Sequence, residues 1–191
     1  SSVDVSNVTS TSATFTADIT SHGGETVSEV GFYYSTEETV DITKSVKVSK
    51  TYAGSAFTTT LSNLSIYTTY YVKAYAVNSA GTSYSDIKSF KTLATAPSVN
   101  TVGTSDVTSN SAVLSGTVVT DNGSPITQRG FVWIQGEGTP TTSSHKLTAE
   151  GTTGDFSAAL DNLEPNKKYS FRAYAVNDMG TAYGDIMTFI T

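Results

Sequence analysis

Apolar and polar side chains alternate along much of the chain with a period of two. Within residues 13–20 every second residue is apolar, and residues 70–76 and 169–175 show the same period. Such alternation predicts antiparallel strands with one buried face and one polar face. Further strands are predicted in the first half of the chain near residues 3–8, 27–35, 44–50, 55–61 and 83–91. No segment has the sustained apolar spacing of an amphipathic helix, so the chain is predicted to be all-β.

The second half of the chain repeats the first. A shift of 99 positions aligns residues 1–92 with residues 100–191 without a gap. The strongest block is Ala74–Asn78, which returns as Ala173–Asn177, and Gly-Thr-x-Tyr-x-Asp-Ile follows each copy. A repeat of roughly 100 residues has the size of a complete domain rather than of a solenoid unit. The chain is therefore predicted to contain one domain twice.

Each copy contains about seven predicted strands, which are separated by turns rich in Gly, Asn and Asp. Seven short strands with frequent turns are typical of an immunoglobulin-like β-sandwich. The predicted fold is therefore all-β, with two tandem seven-stranded immunoglobulin-like β-sandwiches, one over residues 1–94 and one over residues 95–191. Residues 91–97 are predicted to form a short, fairly stiff connector, because Pro97 favours an extended path.

A segment in each copy resembles a known family. Residues 163–169 (Leu-Glu-Pro-Asn-Lys-Lys-Tyr), with the Ala-x-Ala-x-Asn-x-x-Gly of residues 173–180, are similar to the L-x-P-x-x-x-Y…A-x-N-x-x-G signature of fibronectin type III domains. The first copy has Ile66 where the family has proline. The resemblance implies that Tyr70 and Tyr169 are tyrosine-corner residues, whose hydroxyl groups bond to backbone upstream. On this interpretation, Tyr169→Phe leaves a backbone acceptor unpaired.

The resemblance also has implications for the source of the protein and for its location. The segments Gly31–Tyr34 and Gly130–Trp133 are similar to repeats in exported and surface proteins of gut-type Bacteroidota. This implies a bacterial exported protein that is extracellular or on the outer cell surface, with a lipid anchor upstream as one option. The chain starts at Ser1 without a methionine, so it is interpreted as a piece of a longer or processed protein. The absence of cysteine fits either a reducing compartment or such an exported protein.

Composition narrows the range of partners. The formal net charge is −6, and only two of the residues are arginine, Arg129 and Arg172. Nucleic-acid surfaces need clustered cations, so a nucleic-acid partner is not expected. No apolar run approaches the roughly 20 residues of a membrane-spanning helix, so no transmembrane segment is predicted. The chain is expected to be a monomer.

The sequence contains no arrangement that predicts catalysis. His22 and His145 do not recur in the repeat and are interpreted as exposed loop residues. Glu37, Glu38 and Asp41 form the densest acidic group, but the second copy does not reproduce it, so it is interpreted as a solvated loop rather than a cation site. No common catalytic or phosphate-binding motif is present. We therefore expect no enzyme activity, no cofactor and no metal.

Aromatic residues offer the one candidate binding site. If Tyr70, Val72 and Ala74 point inward, the residues between and after them stand on the outer face of the same sheet. The candidate ligand platform on these outer faces consists of Tyr33 (or the Phe32/Tyr34 pair in its place), Tyr71 and Tyr75 in the first copy, and of Trp133 (or Val132 in its place), Arg172 and Tyr174 in the second. The alternative is cross-strand packing that only stabilises the sheet.

The expected function follows from the fold, the composition and the resemblance together. We expect non-catalytic tandem modules of an exported bacterial protein, acting as spacer and as adhesion-type interaction domains for a protein or glycan at the cell surface. The alternative is a pair of accessory domains of a secreted carbohydrate-active enzyme whose catalytic domain lies outside this segment. The sequence of the neighbouring gene regions distinguishes the two hypotheses.

Overall fold

The computed structural model of the chain describes residues 2–54 and 56–191. Those residues form strands, turns and loops and contain no helix. They divide into two compact units: unit 1 ends at Leu93, and unit 2 begins at Ala94. The predicted all-β class with two tandem immunoglobulin-like sandwiches is confirmed.

Unit 1 is built from two antiparallel sheets. Its strands are β1 (Ser2–Ser6), β2 (Ala13–Asp18), β3 (Glu29–Ser35), β4 (Val46–Lys50), β5 (Phe57–Leu61), β6 (Thr69–Asn78), β7 (Gly81–Tyr84) and β8 (Lys88–Lys91). One sheet has the order β1-β2-β5, and the other has the order β4-β3-β6-β7, with β8 also paired to β6. Both β7 and β8 pair with β6, so together they form one interrupted strand. Counted in this way, unit 1 has the seven strands that the sequence predicts.

Unit 2 repeats this topology. Its strands are β9 (Ser98–Ser105), β10 (Ala112–Thr120), β11 (Gln128–Gln135), β12 (His145–Ala149), β13 (Gly154–Leu160), β14 (Lys168–Asn177), β15 (Gly180–Tyr183) and β16 (Met187–Ile190). The sheets have the orders β13-β10-β9 and β12-β11-β14-β15, with β16 paired to β14. The sequence repeat is therefore a repeat of the fold.

The core of each unit lies between its two sheets, as the alternation predicts. In unit 1, Phe15 of β2 packs on Phe32 of β3 with 5.6 Å between ring centroids, and both are fully buried. In unit 2, the buried Phe131 of β11 packs on Phe156 of β13 at 5.0 Å. Each fully buried side chain of this size contributes about 1.5–3 kcal/mol to folding. These contacts across the sandwich hold the two sheets of each unit together.

Where β7 and β8 are interrupted, and at the same place in unit 2, a side-chain hydroxyl bonds to the backbone of the neighbouring strand. In unit 1, the Ser85 hydroxyl accepts a hydrogen bond from the Ala74 N–H of β6 at 2.9 Å. In unit 2, Gly184 occupies the corresponding position and has no hydroxyl, and the Ala173 N–H donates instead to Thr101 Oγ1 of β9 at 3.0 Å. A buried N–H without a partner is costly, so each unit supplies an acceptor, but from a different strand.

The tyrosine corners predicted at Tyr70 and Tyr169 are present. The Tyr70 hydroxyl accepts a hydrogen bond from the Ser65 N–H, and the Tyr169 hydroxyl accepts one from the Glu164 N–H, both at 2.9 Å. The predicted backbone acceptor is wrong, because the backbone group is a donor in both units. Each phenol ring also stacks on a phenylalanine, with 5.6 Å between the centroids of Tyr70 and Phe90.

Threonines that the sequence analysis missed complete both corners. The buried Thr92 hydroxyl donates to the Ser65 carbonyl at 2.7 Å and accepts from the Thr68 N–H at 2.8 Å. Thr191 makes the same pair of bonds, to the Glu164 carbonyl at 2.7 Å and from the Lys167 N–H at 3.1 Å. The sequence analysis placed Thr92 in the connector, whereas its side chain belongs to the corner of unit 1.

Arg129 is an unusual core residue of unit 2. It is buried and takes the place that Val30 occupies in unit 1. Its guanidinium group lies over the Phe156 ring and donates hydrogen bonds to the carbonyl groups of the loop after β12, with the acceptors at Glu150, Thr152, Thr153 and Gly154. Because the planar guanidinium carries five N–H donors, one side chain holds the whole loop.

Removing the Tyr169 hydroxyl should destabilise unit 2. Tyr169→Phe keeps the ring but leaves the Glu164 N–H without its acceptor, so we expect the free energy of unfolding to fall by about 1–3 kcal/mol. Trp133 is the one tryptophan of the chain, so tryptophan fluorescence during denaturant unfolding reports on unit 2. Tyr70→Phe is the matched control, because it removes the same bond from unit 1. Coincident fluorescence curves for the parent and Tyr169→Phe would contradict the assignment.

Candidate functional site

The candidate residues of unit 1 lie on the outer face of the β4-β3-β6-β7 sheet. Tyr33 pairs with Lys73 across β3 and β6, next to the inward pair of Phe32 and Ala74. Tyr33 and Tyr71 are partly exposed there. Tyr75 is on the same face but is only 1% exposed, so it is not accessible to a ligand. The candidacy of Tyr75 as an exposed platform residue is therefore corrected.

Tyr75 is buried, and its ring packs closely over Gly31. The two residues are directly opposite in the pairing of β3 with β6. A Cβ on Gly31 would come within 2.8 Å of the Tyr75 ring and hydroxyl and would also clash with the Val48 carbonyl oxygen. Only glycine, which has no Cβ, leaves room for the Tyr75 ring. The Tyr33 ring packs on Tyr75, with 5.0 Å between the ring centroids. The glycine of the Gly-Phe-x-aromatic segment thus has a packing role.

A small polar network holds the Tyr75 hydroxyl. It donates to Glu29 Oε1 at 2.5 Å and lies 2.9 Å from the Ser49 hydroxyl. Lys47 Nζ lies 2.8 Å from the same carboxylate oxygen and 5.0 Å from the Tyr75 ring centroid. The hydrogen bond from Lys47 lowers the pKa of Glu29, and burial raises the pKa of Tyr75. These contacts fix the ring against the sheet.

Beside the exposed Lys47 of β4, four further accessible residues lie on this face. Tyr84 of β7 is 40% exposed, and its ring centroid lies 6.4 Å from that of Tyr33. Lys73 Nζ lies 5.0 Å from the Tyr84 ring centroid, and Tyr71 is two residues away on the same strand. We call Tyr33, Tyr71, Lys73 and Tyr84 the aromatic–lysine surface. The sequence analysis missed Tyr84, because only the register of β7 on β6 brings it beside Tyr33.

The corresponding face of unit 2 is more covered, although Arg172 and Tyr183 on it are partly exposed. Tyr174 lies opposite Gly130, as Tyr75 lies opposite Gly31, and is fully buried at 0% exposure. Val132 and Ser170 replace Tyr33 and Tyr71, and both are buried. The structure therefore corrects the candidacy of Tyr174 as well. Burial also raises the pKa of the Tyr174 hydroxyl, which has no hydrogen-bond partner within residues 2–54 and 56–191.

The loop between β11 and β12 covers this face of unit 2. Arg172 Nε donates to the Pro140 carbonyl at 2.6 Å, and its guanidinium carbon lies 3.8 Å from the Tyr183 ring centroid. The Thr142 N–H donates to the Tyr183 hydroxyl at 3.0 Å. Arg172 and Tyr174 are thus brought together on one face, but within a packed arrangement rather than on an accessible platform.

Trp133 lies on the other face of its sheet. Its neighbour Val132 points outward, so Trp133 packs against the edge of the core, with 5.8 Å between its ring and that of Tyr169. The ring of His145 stacks on it at 4.4 Å and an interplanar angle of 20°. Its inclusion in an outer platform is therefore wrong. The run of aromatic residues in β11 left this choice open at the sequence level.

The histidines and acidic residues form no assembled site. His22 Nε2 lies 3.0 Å from the Tyr52 hydroxyl on an exposed turn. Asp41 Oδ1 accepts hydrogen bonds from the backbone and the side chain of Thr43, which lower the pKa of Asp41. Across residues 2–54 and 56–191, no group of three or more His, Cys, Asp or Glu side chains could hold a metal ion.

No protein-family model matches the chain, and no curated protein matches it significantly. Within the described ranges, no helix is long and apolar enough to cross a membrane.

The two outer-face tyrosines should respond differently to loss of their hydroxyl groups. Tyr174→Phe removes a buried hydroxyl without a partner, so the stability of unit 2 should stay unchanged or rise by up to about 1–3 kcal/mol. Tyr75→Phe removes the bond to Glu29, so the melting temperature of unit 1 should fall. Calorimetry of the full chain, with tryptophan fluorescence to identify the unit 2 transition, measures both. A clear loss of stability in Tyr174→Phe would mean that its hydroxyl is paired.

Tyrosine ionisation should be coupled to unfolding at alkaline pH. Burial is the main cause that raises the pKa values of Tyr34, Tyr75 and Tyr174 above their usual value of 10.0. Because the folded-state pKa is the higher one, their contribution to stability is complete below about pH 10 and is lost as pH rises through the folded-state values. A spectrophotometric titration of the native protein should show these phenols ionising late. Titration curves that coincide in native and denatured protein would contradict the burial.

Proposed function

We propose that the chain is a non-catalytic pair of fibronectin type III-like modules from an exported bacterial protein. Both units act as spacers at the outer cell surface, and unit 1 also binds a partner through its aromatic–lysine surface. The tyrosine corners at Tyr70 and Tyr169 support the assignment to fibronectin type III-like modules, because the family's signature requires a corner at these positions. The bacterial and exported origin is supported by the resemblance of the two Gly-Phe-x-aromatic segments.

The spacer role is supported by the way in which each unit secures its own strands. The last residues of each copy, Thr92 and Thr191, bond to the corner of their own sandwich. The tyrosine hydroxyl bonds to the same corner, so the crossing between the two sheets is held from two sides. Because the rigidity of each module comes from contacts within it, each can keep its shape without a ligand.

The binding role depends on one observation, the exposure of the aromatic–lysine surface. Tyrosine is enriched at binding hot spots because it offers a large rigid contact area and a polar hydroxyl. The rings of Tyr33 and Tyr84 are inclined by 52° to each other. A flat polysaccharide chain that stacks on both rings needs them near one plane, so the geometry favours a protein partner over a flat glycan chain.

Binding measurements on the full chain can test this role. We expect it to bind one or more proteins on an array of immobilised extracellular-matrix and cell-surface proteins, with a glycan array run in parallel. Tyr84→Ala and Lys73→Ala should each weaken the interaction by roughly tenfold or more, the typical effect at a hot spot.

The matched control is Tyr67→Asn. Tyr67 is also an exposed tyrosine of unit 1 with a lysine over its ring, but it lies outside the aromatic–lysine surface. Its backbone φ of 49° suits asparagine, and the corresponding residue of unit 2 is Asn166 with φ 55°. Equal losses in Tyr84→Ala and Tyr67→Asn, or no binding to either array, would contradict the binding role. Binding to glycans alone would identify the partner as a carbohydrate.

A further inference from the structure

The end of unit 2 that carries the β14–β15 turn binds the chain segment that leads into β9. The Asn177 amide donates hydrogen bonds to the carbonyl groups of Thr95 at 2.8 Å, Asp121 at 2.9 Å and Ser124 at 3.3 Å. The Asn122 amide donates to the Ala96 carbonyl at 2.7 Å. Two asparagine side chains thus fix the main chain at Thr95 and Ala96.

Apolar residues continue this contact toward the core. Pro97 is buried, and Val99 is part of the core cluster of unit 2. Ala96 Cβ would lie 3.6 Å from a Cβ added at Gly180, so the segment passes close over the β14–β15 turn. The segment Thr95–Val99 therefore supplies both polar and apolar contacts to the sandwich.

The same place in unit 1 is a groove. It has a volume of about 230 Å³, and its lining includes Ile19, Val27, Ala76, Asn78 and Gly81. Among the described residues, the Asn78 amide donates only to the His22 carbonyl at 3.0 Å, whereas its counterpart Asn177 has three acceptors. We call this feature the turn groove.

Burial at corresponding positions shows what the turn groove lacks. Ile19, Val27, Ala76 and Asn78 are only partly buried. Their counterparts in unit 2, 99 positions later, are all buried: Val118, Ile126, Ala175 and Asn177. The lining is conserved in character between the two copies, and the segment Thr95–Val99 is what covers it in unit 2.

We propose that the turn groove of unit 1 binds an extended peptide segment that leads into β1, in the way that unit 2 binds Thr95–Val99. The segment runs as extended main chain, offers a carbonyl to the Asn78 amide and carries a small side chain over Gly81. Gly23 corresponds to Asn122 and has a similar φ of 66° against 51°, but it lacks the amide that bonds Ala96. The occupant therefore makes one anchoring bond fewer in unit 1 than in unit 2.

A graft onto the full chain can test the proposal. A copy of Ala94–Val99 placed directly before Ser1 gives unit 1 the same spacing that unit 2 has. We expect the melting temperature of unit 1 to rise by about 4–8 °C or more, the shift that one net hydrogen bond produces in a domain of this size. A Gly-Ser extension of equal length is the control. The unit 2 transition, followed by Trp133 fluorescence, should not move.

A substitution in the groove makes the test specific. Gly23→Asn restores the missing amide, and asparagine tolerates the positive φ of this position. Gly23→Asn should raise the melting temperature of unit 1 further in the grafted chain but not in the Gly-Ser chain. Such a dependence on the graft would show that the two changes are coupled. Hydrogen exchange of residues 20–28 and 76–83 should slow only with the graft.

The reverse change can be made in unit 2. Asn122→Gly removes the bond to Ala96 while keeping a backbone that glycine adopts readily, so hydrogen exchange at residues 94–97 should become faster. The proposal is overturned if the graft and the Gly-Ser extension give equal melting temperatures and exchange rates. It is also overturned if Gly23→Asn has the same effect in both extended chains.

Discussion

The two sandwiches depend on pairing the backbone groups that the β-ladders leave unpaired where strands end or break. A buried N–H or C=O without a partner costs about as much as several favourable contacts return, so each such group must be bonded. In this chain, side-chain hydroxyl and amide groups supply several of these partners. Tyr70 and Thr92 pair the corner groups of unit 1, Ser85 pairs the break between β7 and β8, and Asn78 pairs the β6–β7 turn. The abundance of hydroxyl side chains in the sequence is therefore part of how the fold is specified.

The repeat shows that the position of such a partner matters less than its presence. The Ala74 N–H and the Ala173 N–H are equivalent donors, yet Ser85 accepts from the first and Thr101 from the second. In the sequence, Ser85 lies near the end of its copy, whereas Thr101 lies near the start of its copy. This exchange is possible because Gly184 leaves room for β9: a Cβ there would clash with the Thr101 backbone. The glycine in one copy and the serine in the other are thus two compatible solutions to one constraint.

The sequence alone predicts the fold better than it predicts the candidate site, and particular residues show why. The alternation around Phe15 and Val72 depends only on the period of a strand, so it identifies the core directly. The burial of Tyr75 and Tyr174 depends instead on which residue lies opposite on β3 or β11, and that register is not visible in the sequence. Tyr84 was missed for the same reason. The direction of the corner hydrogen bond was wrong because a phenol can donate or accept, and only the backbone geometry decides between the two.

The comparison of the two outer faces bears on the proposed binding role. Unit 2 shows that this backbone can cover part of the face: Val132, Ser170 and Tyr174 are buried, and the loop between β11 and β12 is bonded to the partly exposed Arg172 and Tyr183. Unit 1 has a loop of similar length, residues 36–45, but among its described residues no hydrogen bond joins that loop to Lys73 or Tyr84. Exposure of the aromatic–lysine surface is therefore not a requirement of the fold. Unit 1 carries accessible rings at Tyr33, Tyr71 and Tyr84, whereas unit 2 has the buried Val132 and Ser170 at the first two positions and bonds its loop to the tyrosine at the third. This difference between the copies supports binding through unit 1 rather than through both units.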